Sequence, residues 1–462
     1  MKPTGPIAMA ATVLVVGITA VAAIAFPRYS GAGLVFLLFT VSFIPLAVLI
    51  FPQPRLYAYT FLAALLGLGL WAKVMVHIIW PLPFVEPVGN FANTAGEWDS
   101  ALLAMSCAAL GIVAARCLHL WYRRTTRGAV ESGGTAAPDW FVRWRRSIWL
   151  LTIVLVVGVN AANLHFAFFQ IGINAKLLLP MRLHILVAWL VNVGFALWVA
   201  ALLWWDCKAK RQTLGRNLII PFVESFFSSV SALSRIAYLV HGGPYWLALF
   251  ERRNDFSEVM KRRTLASLVG CFLLLFVGSV LTIFWLRSNY YPANADLRRN
   301  LALEIPQLIV QRWVGMEGVL AVGATSNRGI DLLVAAITDS PKLGGRSLYQ
   351  RLAKTRYLVD ETQTFTFLTS AGPVAVLLFS GSLVVVFFAM GLIAFVVIIT
   401  EEFTRKLTGN PFLLAVSGAA IANVVSQTTF FYLTLVFFLQ MWVAVLFLAA
   451  IERLRFGART RP

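Results

Sequence analysis

Charged residues are scarce in this chain of 462 residues, where Asp, Glu, Lys and Arg together make up 13% and hydrophobic residues 59%. Soluble globular domains carry about 25% charged residues. The mean hydropathy of +0.79 is far above what such a domain shows. The composition therefore excludes a water-soluble globular protein and predicts an integral membrane protein.

Cysteine and the motifs of metal and nucleotide chemistry are also scarce. The four cysteines (Cys107, Cys117, Cys207 and Cys271) lie in or at the ends of apolar runs, without the paired spacing of a zinc site or a disulfide framework. The sequence has no Gly-rich phosphate loop, no His-Glu-x-x-His and no Cys-x-x-Cys. ATP hydrolysis and a zinc centre are not indicated, so neither a cofactor nor a metal is expected.

Apolar runs of about twenty residues recur along the chain, each long enough to cross a hydrocarbon core of about 30 Å as a helix. The short alternating segments of a membrane barrel are absent. The sequence predicts an all-α polytopic membrane protein with about ten transmembrane helices, a re-entrant hairpin and one large outside loop domain. The first run, Ile7 to Phe26, lacks a small-residue cleavage site and is expected to remain as the first helix.

Three regions follow from this pattern. Residues 1–287 are predicted to form an N-terminal membrane bundle, residues 288–368 a periplasmic loop domain with amphipathic helices, and residues 369–462 the C-terminal membrane helices. The net charge of +19 is explained by basic cytoplasmic loops, which orient membrane proteins. Nucleic acid is therefore not expected as a partner.

The basic loops also predict the hairpin. Arginines between positions 123 and 146 and the basic segment Asp206 to Arg216 mark two cytoplasmic connections. If Asn217 to His241 crossed the membrane once, the next basic cluster would lie outside. A hairpin over residues 217–250 returns that cluster to the cytoplasm. The hairpin would turn near Ser231 to Arg235 or at His241 to Pro244. The alternative explanation for the position of the cluster is a span misassigned elsewhere in the chain. Glu224 and Arg235 are interpreted as a structural pair within it.

The largest polar stretch runs from Ser288 to Leu368, with nine Lys/Arg and seven Asp/Glu. Within it, Asn300 to Ala324 is predicted to be a helix at the membrane surface, anchored by Trp313. That helix would hold Arg312 and Glu317 at headgroup level, where a guanidinium suits phosphate oxygens; in the alternative, the two side chains pair with each other. A second amphipathic helix is predicted over Lys342 to Arg356.

A second polar constellation lies in the third span. Lys73 and His77 are four residues apart and share one helical face. A lysine far from the helix ends is expected to face a cavity and a partner, and Glu86 and Asp99 are the acids of the adjoining outside loop. The alternative is that Lys73 reaches the interface and His77 binds a backbone carbonyl.

Three stretches resemble the bacterial membrane polymerases of O-antigen and exopolysaccharide repeat units, the Wzy-type family. The first is Lys73-Val-Met-Val-His-Ile with Val85-Glu-Pro-Val-Gly89 and Trp98-Asp99. The second is Arg312-Trp-Val-Gly-Met-Glu-Gly318. The third is Ala371-Gly-Pro with Phe379-Ser-Gly-Ser382, ahead of Asn410-Pro.

The resemblance implies a metal-independent, inverting transfer of a growing glycan from undecaprenyl pyrophosphate to the next lipid-linked repeat unit. The implied partners are that lipid-linked glycan, membrane lipid and, as a further candidate, a chain-length regulator. The implied location is the periplasmic face of a bacterial inner membrane. The candidate bases are Glu317, Glu86 and His77. The candidate substrate-binding residues are Arg312, Arg328, Arg346, Arg351, Arg356 and Lys73. An O-antigen ligase and a flippase or transporter of lipid-linked oligosaccharides remain the alternatives.

Overall fold

The structure is a computed structural model that describes residues 5–52, 55–84, 86–125, 137–177, 179–180, 183–209, 217–252, 261–290, 310, 313–355 and 368–453. These residues form helices, and no strand occurs among them. Eight of the described helices are long and apolar enough to cross a membrane. The prediction of an all-α, multi-pass membrane protein is thereby confirmed.

The described helices pack against one another as a bundle. They are α1 (Gly5–Ala25), α2 (Gly33–Val48), α3 (Tyr57–Ile79), α4 (Ala95–Thr125), α5 (Asp139–Phe166), α6 (Leu183–Ala209), α7 (Ile219–Ser231), α8 (Arg235–Gly242), α9 (Pro244–Glu251), α10 (Arg262–Tyr290), α11 (Met316–Gly323), α12 (Ile330–Thr338), α13 (Leu348–Ala353), α14 (Pro373–Leu378), α15 (Leu383–Thr408), α16 (Pro411–Ser426) and α17 (Phe431–Arg453). A 3₁₀ helix, Pro341–Arg346, precedes α13.

Two further apolar helices lie within the bundle but are shorter than a span. Helices α2 and α16 have 16 residues each, which gives a length of about 24 Å at 1.5 Å per residue. Helix α16 is buried along almost its whole length, against α3 and α6. Its first turn is capped by Asn410, whose side-chain oxygen accepts from the backbone N–H groups of Phe412 and Leu413.

Buried charges join the helix ends that the basic loops assign to the cytoplasm. Glu401 of α15 accepts hydrogen bonds from the backbone N–H groups of Tyr57 and Ala58, at 2.9 and 2.6 Å, and so caps α3 from another helix. Glu402 pairs with Arg123 of α4. Helices α3, α4 and α15 are therefore held in register at this end.

The segment 217–250 forms a helical hairpin, with α7 packed against α8. Leu233 between these helices has a φ of 55°, a left-handed turn conformation. The turn meets helix ends on the predicted outer side, because the carbonyls of Ser231 and Leu233 accept from Asn163 and Arg287 at 3.0 and 2.6 Å.

Both ends of the hairpin return to the predicted cytoplasmic side. Asn217 donates to Asp206 at the end of α6, and Tyr57 hydrogen bonds with Glu251. The turn lies at the first of the two positions that the sequence suggested. Entry and exit of the hairpin on one side of a membrane stay a prediction.

Three helix predictions in the second half of the chain are wrong in extent. Trp313 to Gly315 is not helical, because Gly315 has a φ of 140°, and α11 is buried instead of lying at a membrane surface. The predicted helix over Lys342 to Arg356 is broken at Ser347, whose backbone is extended. The apolar run from Ser370 to Thr400 also favours one continuous span, but the structure divides it into α14 and α15 by a turn at Phe379 to Ser382.

Candidate functional site

Described parts of the first two stretches that carry the family resemblance, and Ala371-Gly-Pro of the third, meet at one end of the bundle. Gly69 of α3 faces Val314 so closely that a Cβ atom at Gly69 would lie 1.9 Å from the Val314 carbonyl oxygen. A Cβ atom at Gly318 would lie 2.0 Å from the carbonyl oxygen of Ala371. The absence of side chains at these two glycines lets the segment around Gly315 lie between the third span and the start of α14.

Lys73 and Glu317 form a buried ion pair at the centre of this meeting point. The Lys73 Nζ atom lies 2.5 Å from Glu317 Oε1 and donates a second hydrogen bond to the Trp313 carbonyl oxygen at 2.8 Å. Lys73 is 0% exposed and Glu317 3% exposed. The expectation that Lys73 faces a partner is met, but the partner is Glu317 and not Glu86 or Asp99.

The pairing of Lys73 also bears on the alternative in which Arg312 and Glu317 pair with each other. Glu317 is held by Lys73, whereas Arg312 lies outside the described residues. Burial raises the pKa of the Glu317 carboxyl, although the Lys73 ammonium opposes that rise.

Glu86 and Tyr349 complete the polar cluster around the pair. Glu86 lies near enough to Glu317 and Tyr349 to interact electrostatically with both, and it is only partly buried. Burial raises the pKa of the Tyr349 hydroxyl, and the charges of Glu317 and Glu86 add to the rise. The Tyr349 hydroxyl is buried and has no hydrogen-bond partner within the part of the chain that the structure describes. It therefore remains protonated and can donate to a bound molecule.

The loop that carries Glu86 is fixed at both ends. The Gly89 N–H donates to the Ala353 carbonyl oxygen of α13 at 3.1 Å. On the other side of Glu86, the His77 ring stacks on Phe84 with centroids 4.8 Å apart and hydrogen bonds to the backbone of Leu82. This contact with the backbone matches the alternative interpretation of His77, which is 8% exposed.

The other acids that follow the third span, at the start of α4, have structural partners. Asp99 accepts from the Tyr29 hydroxyl at 2.6 Å and from the Ala32 N–H at 3.0 Å. Glu97 accepts from the backbone N–H groups of Ala92 and Thr94. Glu86 differs from both, because its side chain forms no hydrogen bond with another residue that the structure describes.

The five candidate arginines are not equivalent. Arg312 and Arg356 lie outside the described residues. Arg346 and Arg351 are exposed, and Arg351 lies on α13, the helix that holds Tyr349 and binds the Glu86 loop. Arg328 is partly buried and packs beside Gly381 in the turn between α14 and α15.

Tyr349 was not among the residues singled out from the sequence. It stands beside Gln350, whose amide donates to the Thr369 carbonyl oxygen at 2.8 Å and whose oxygen accepts from the Thr369 N–H at 3.1 Å. This two-bond contact fixes α13 against the chain that leads into α14. The only sequence signal was an aromatic residue within a polar segment, which alone does not distinguish a site residue from an anchor.

No family model, curated protein or solved structure matches this chain. The chemistry of the site is therefore argued from its own residues. The described part of the chain contains no group of three or more His, Cys, Asp and Glu side chains placed to hold a metal ion. The cluster instead offers a partly exposed carboxylate, a protonated phenol and a buried ammonium, next to exposed guanidinium groups.

Proposed function

We propose that this protein polymerises lipid-diphosphate-linked oligosaccharide repeat units, as an inverting glycosyltransferase at the outer face of a bacterial inner membrane. One observation carries the proposal. Described parts of the three stretches that resemble Wzy-type polymerases, which are far apart in sequence, meet around Lys73 and Glu317, with Glu86 and Tyr349 beside them.

The reaction needs a base for the acceptor hydroxyl and positive charge for the leaving group. A carboxylate takes the hydroxyl proton while the acceptor oxygen forms a bond to the anomeric carbon of the donor. The bond from that carbon to the diphosphate breaks, and its electron pair leaves with the diphosphate. Cationic side chains at the departing oxygens stabilise this charge.

Among the candidate bases, Glu86 suits this role best. It is partly exposed, and its side chain has no recorded hydrogen bond to another described residue, whereas Glu317 is buried against the Lys73 ammonium. We assign Lys73 and Glu317 as positioning residues that hold the Trp313 to Gly318 segment against α3. His77 positions the Glu86 loop through its stacking on Phe84.

Exposed arginines beside the cluster are suited to the diphosphate. Arg351 shares α13 with Tyr349, so a lipid diphosphate bound by its guanidinium would lie next to the cluster. The Tyr349 hydroxyl would then donate to a sugar or diphosphate oxygen. Arg346 and Arg328 are secondary candidates, and Arg312 and Arg356 keep their predicted role.

Deletion of the gene followed by gel analysis of surface polysaccharide tests the proposal. Glycans of a single repeat unit on the surface support a polymerase. Loss of all periplasmic repeat units identifies a flippase, and full-length polymer retained on its lipid carrier identifies a ligase. Either of the last two results, or an unchanged pattern, would overturn the proposed function.

Complementation and an assay with purified protein test the residue roles. Glu86→Gln is expected to lower polymerisation of a lipid-linked single repeat unit by about 100-fold or more, as for loss of a general base. Asp331→Asn is the matched control, since Asp331 is an exposed acid of the same outer segment. Equal activity of the two variants would reject Glu86 as the base.

The proposed transfer does not use a metal ion, so the purified protein is expected to keep full activity with excess chelator.

A further inference from the structure

A second buried ionisable pair lies within the hairpin, away from the candidate site. Glu224 of α7 and His241 of α8 are 2% and 1% exposed, and His241 Nδ1 lies 3.1 Å from Glu224 Oε1. The same carboxyl oxygen accepts from the Ser228 hydroxyl at 2.7 Å. The sequence suggested Arg235 as the partner of Glu224, but Arg235 lies over the ring of Phe284.

The hydrogen bonds of His241 define how many protons the pair holds. The other ring nitrogen, Nε2, lies 2.7 Å from the carbonyl oxygen of Asn192. A carbonyl oxygen can only accept, so Nε2 carries a proton. Nδ1 and the Glu224 oxygen are both acceptors unless one further proton lies between them. The geometry therefore requires one shared proton, either as imidazolium with carboxylate or as imidazole with carboxylic acid.

Few charges compete with this pair. Tyr245 of α9 interacts electrostatically with Glu224. Helix α16, which packs against α8, carries no ionisable residue. The remaining titratable groups on the hairpin and the elements packed against it lie toward the helix ends or bear no charge at neutral pH: Asp139, Arg143, Arg145, Arg146 and His165 of α5; His184, Asp206, Cys207 and Lys208 of α6; Arg235 and Tyr238 of α8; Glu251 of α9; and Arg262, Arg263, Cys271, Arg287 and Tyr290 of α10.

His241 also lines a small cavity of about 40 Å³ between the hairpin, α6, α16 and α17. Polar side chains line it along with His241, namely Asn192, Ser234 and Asn423. Ser234 belongs to the hairpin turn, at the predicted outer side, so the cavity extends from the buried pair toward that side. A polar space of this kind can hold water, which conducts protons.

We propose that Glu224 and His241 form an intramembrane proton-binding site at the base of this cavity, and that the bound proton joins α7 to α8. Loss of the proton would bring two acceptors together in a buried environment, at 3.1 Å, with no donor between them. The hairpin described here is thus its protonated form.

The pH dependence of unfolding tests this site without any assay of activity. The unfolded chain releases the proton of His241 above about pH 6.5, whereas the folded pair keeps it. Because the folded chain then binds one more proton, the unfolding equilibrium constant is expected to rise roughly tenfold per pH unit above that point.

Glu224→Gln is the matched variant, because an amide nitrogen in the place of the shared carboxyl oxygen can donate one hydrogen to Nδ1 of a neutral His241 and the other to the Ser228 hydroxyl oxygen. For this variant the contribution of the pair is constant above about pH 6.5, and stability rises with pH below it. Unfolding of both proteins in detergent is followed by tryptophan emission from pH 5 to 9. The ratio of the unfolding constants of the wild type and Glu224→Gln is expected to rise roughly tenfold per pH unit throughout.

Parallel pH profiles of the two proteins would overturn the proposal. If Glu224→Gln does not fold, nitrogen NMR of labelled histidine in lipid vesicles replaces the comparison. The chain has five histidines, and His241→Gln identifies the signal of His241. At pH 8, a protonated Nδ1, or an Nδ1 signal shifted by a hydrogen bond from the Glu224 carboxylic acid, supports the site, and an Nδ1 with neither refutes it.

Discussion

Replacing Lys73 by methionine removes the charge at the centre of the candidate site while keeping most of the side-chain volume. Glu317 would then be a buried carboxylate without its counter-ion, 3% exposed. Breaking a buried pair by removing one partner costs about 3–5 kcal/mol. The same cost is expected for Glu317→Met, because the Lys73 ammonium then loses its carboxylate. The free energy of unfolding of each variant is expected to fall by that amount.

The double variant separates the pair from other effects. With both charges replaced by apolar groups of similar size, the main unmet group is the Trp313 carbonyl, which loses the hydrogen bond from Lys73. Leaving such a group unsatisfied costs about 1–3 kcal/mol. The double variant is therefore expected to be more stable than either single variant.

Denaturant titration in mixed micelles, read by tryptophan emission, gives the four free energies of this cycle. Lys342→Met serves as the control, because Lys342 is an exposed cation of the same outer segment, and its effect is expected to stay within about 0.5 kcal/mol. If the losses in the free energy of unfolding of the two single variants simply add in the double variant, the two side chains do not interact. That result would refute the ion pair as the centre of the candidate site.

Three further outcomes are expected. Gly69→Ala is expected to destabilise the protein and abolish polymer formation, since the new Cβ atom would lie 1.9 Å from the Val314 carbonyl oxygen. Gly67→Ala is the control in the same segment, because its Cβ atom meets nothing within 4 Å. The free energy of unfolding of this control is expected to stay unchanged or to rise by up to about 1 kcal/mol. Tyr349→Phe is expected to keep stability and lower activity, because the hydroxyl has no partner among the described residues; unchanged activity would remove it from the site. Burial and the hydrogen bond to Asp99 raise the pKa of the Tyr29 hydroxyl, so its contribution to stability is present below about pH 10 and lost above it; a Tyr29→Phe variant is expected to lack this alkaline loss in thermal scans.

The sequence predicted the helices of the bundle because apolar runs of span length carry a strong signal. It also predicted the hairpin turn, since the basic loops on either side constrain where the chain can return. The pairing of Lys73 could not be read in the same way. Glu317 lies 244 positions away in the sequence, and the acids closer in sequence, Glu86 and Asp99, were the natural candidates.

The error over Asn300 to Ala324 has a definite physical cause. Apolar residues recur there at helical spacing, but Gly315 adopts a φ of 140°, which a helix does not contain. The backbone is therefore not helical at Gly315, and the neighbouring Val314 lies against Gly69 of the third span. Helical spacing of apolar residues indicates which side chains share a face, but it does not indicate where a glycine allows the backbone to turn.

Both buried pairs adjoin a π-helical segment, and the two arrangements share one logic. Lys73 follows directly after the π-helical turn Gly67–Ala72, and the carbonyl that accepts from His241 belongs to the π-helical turn Leu190–Gly194. A wider turn alters the regular hydrogen bonding of a helix and re-aims the side chains around it. In a membrane the displaced backbone groups need partners within the protein. At the second turn, His241 donates a hydrogen bond to the displaced carbonyl oxygen of Asn192. At the first turn, the absence of a side chain at Gly69 lets the segment Trp313 to Gly318 pack beside Lys73. Irregular helix geometry thus adjoins both the Lys73–Glu317 pair and the Glu224–His241 pair.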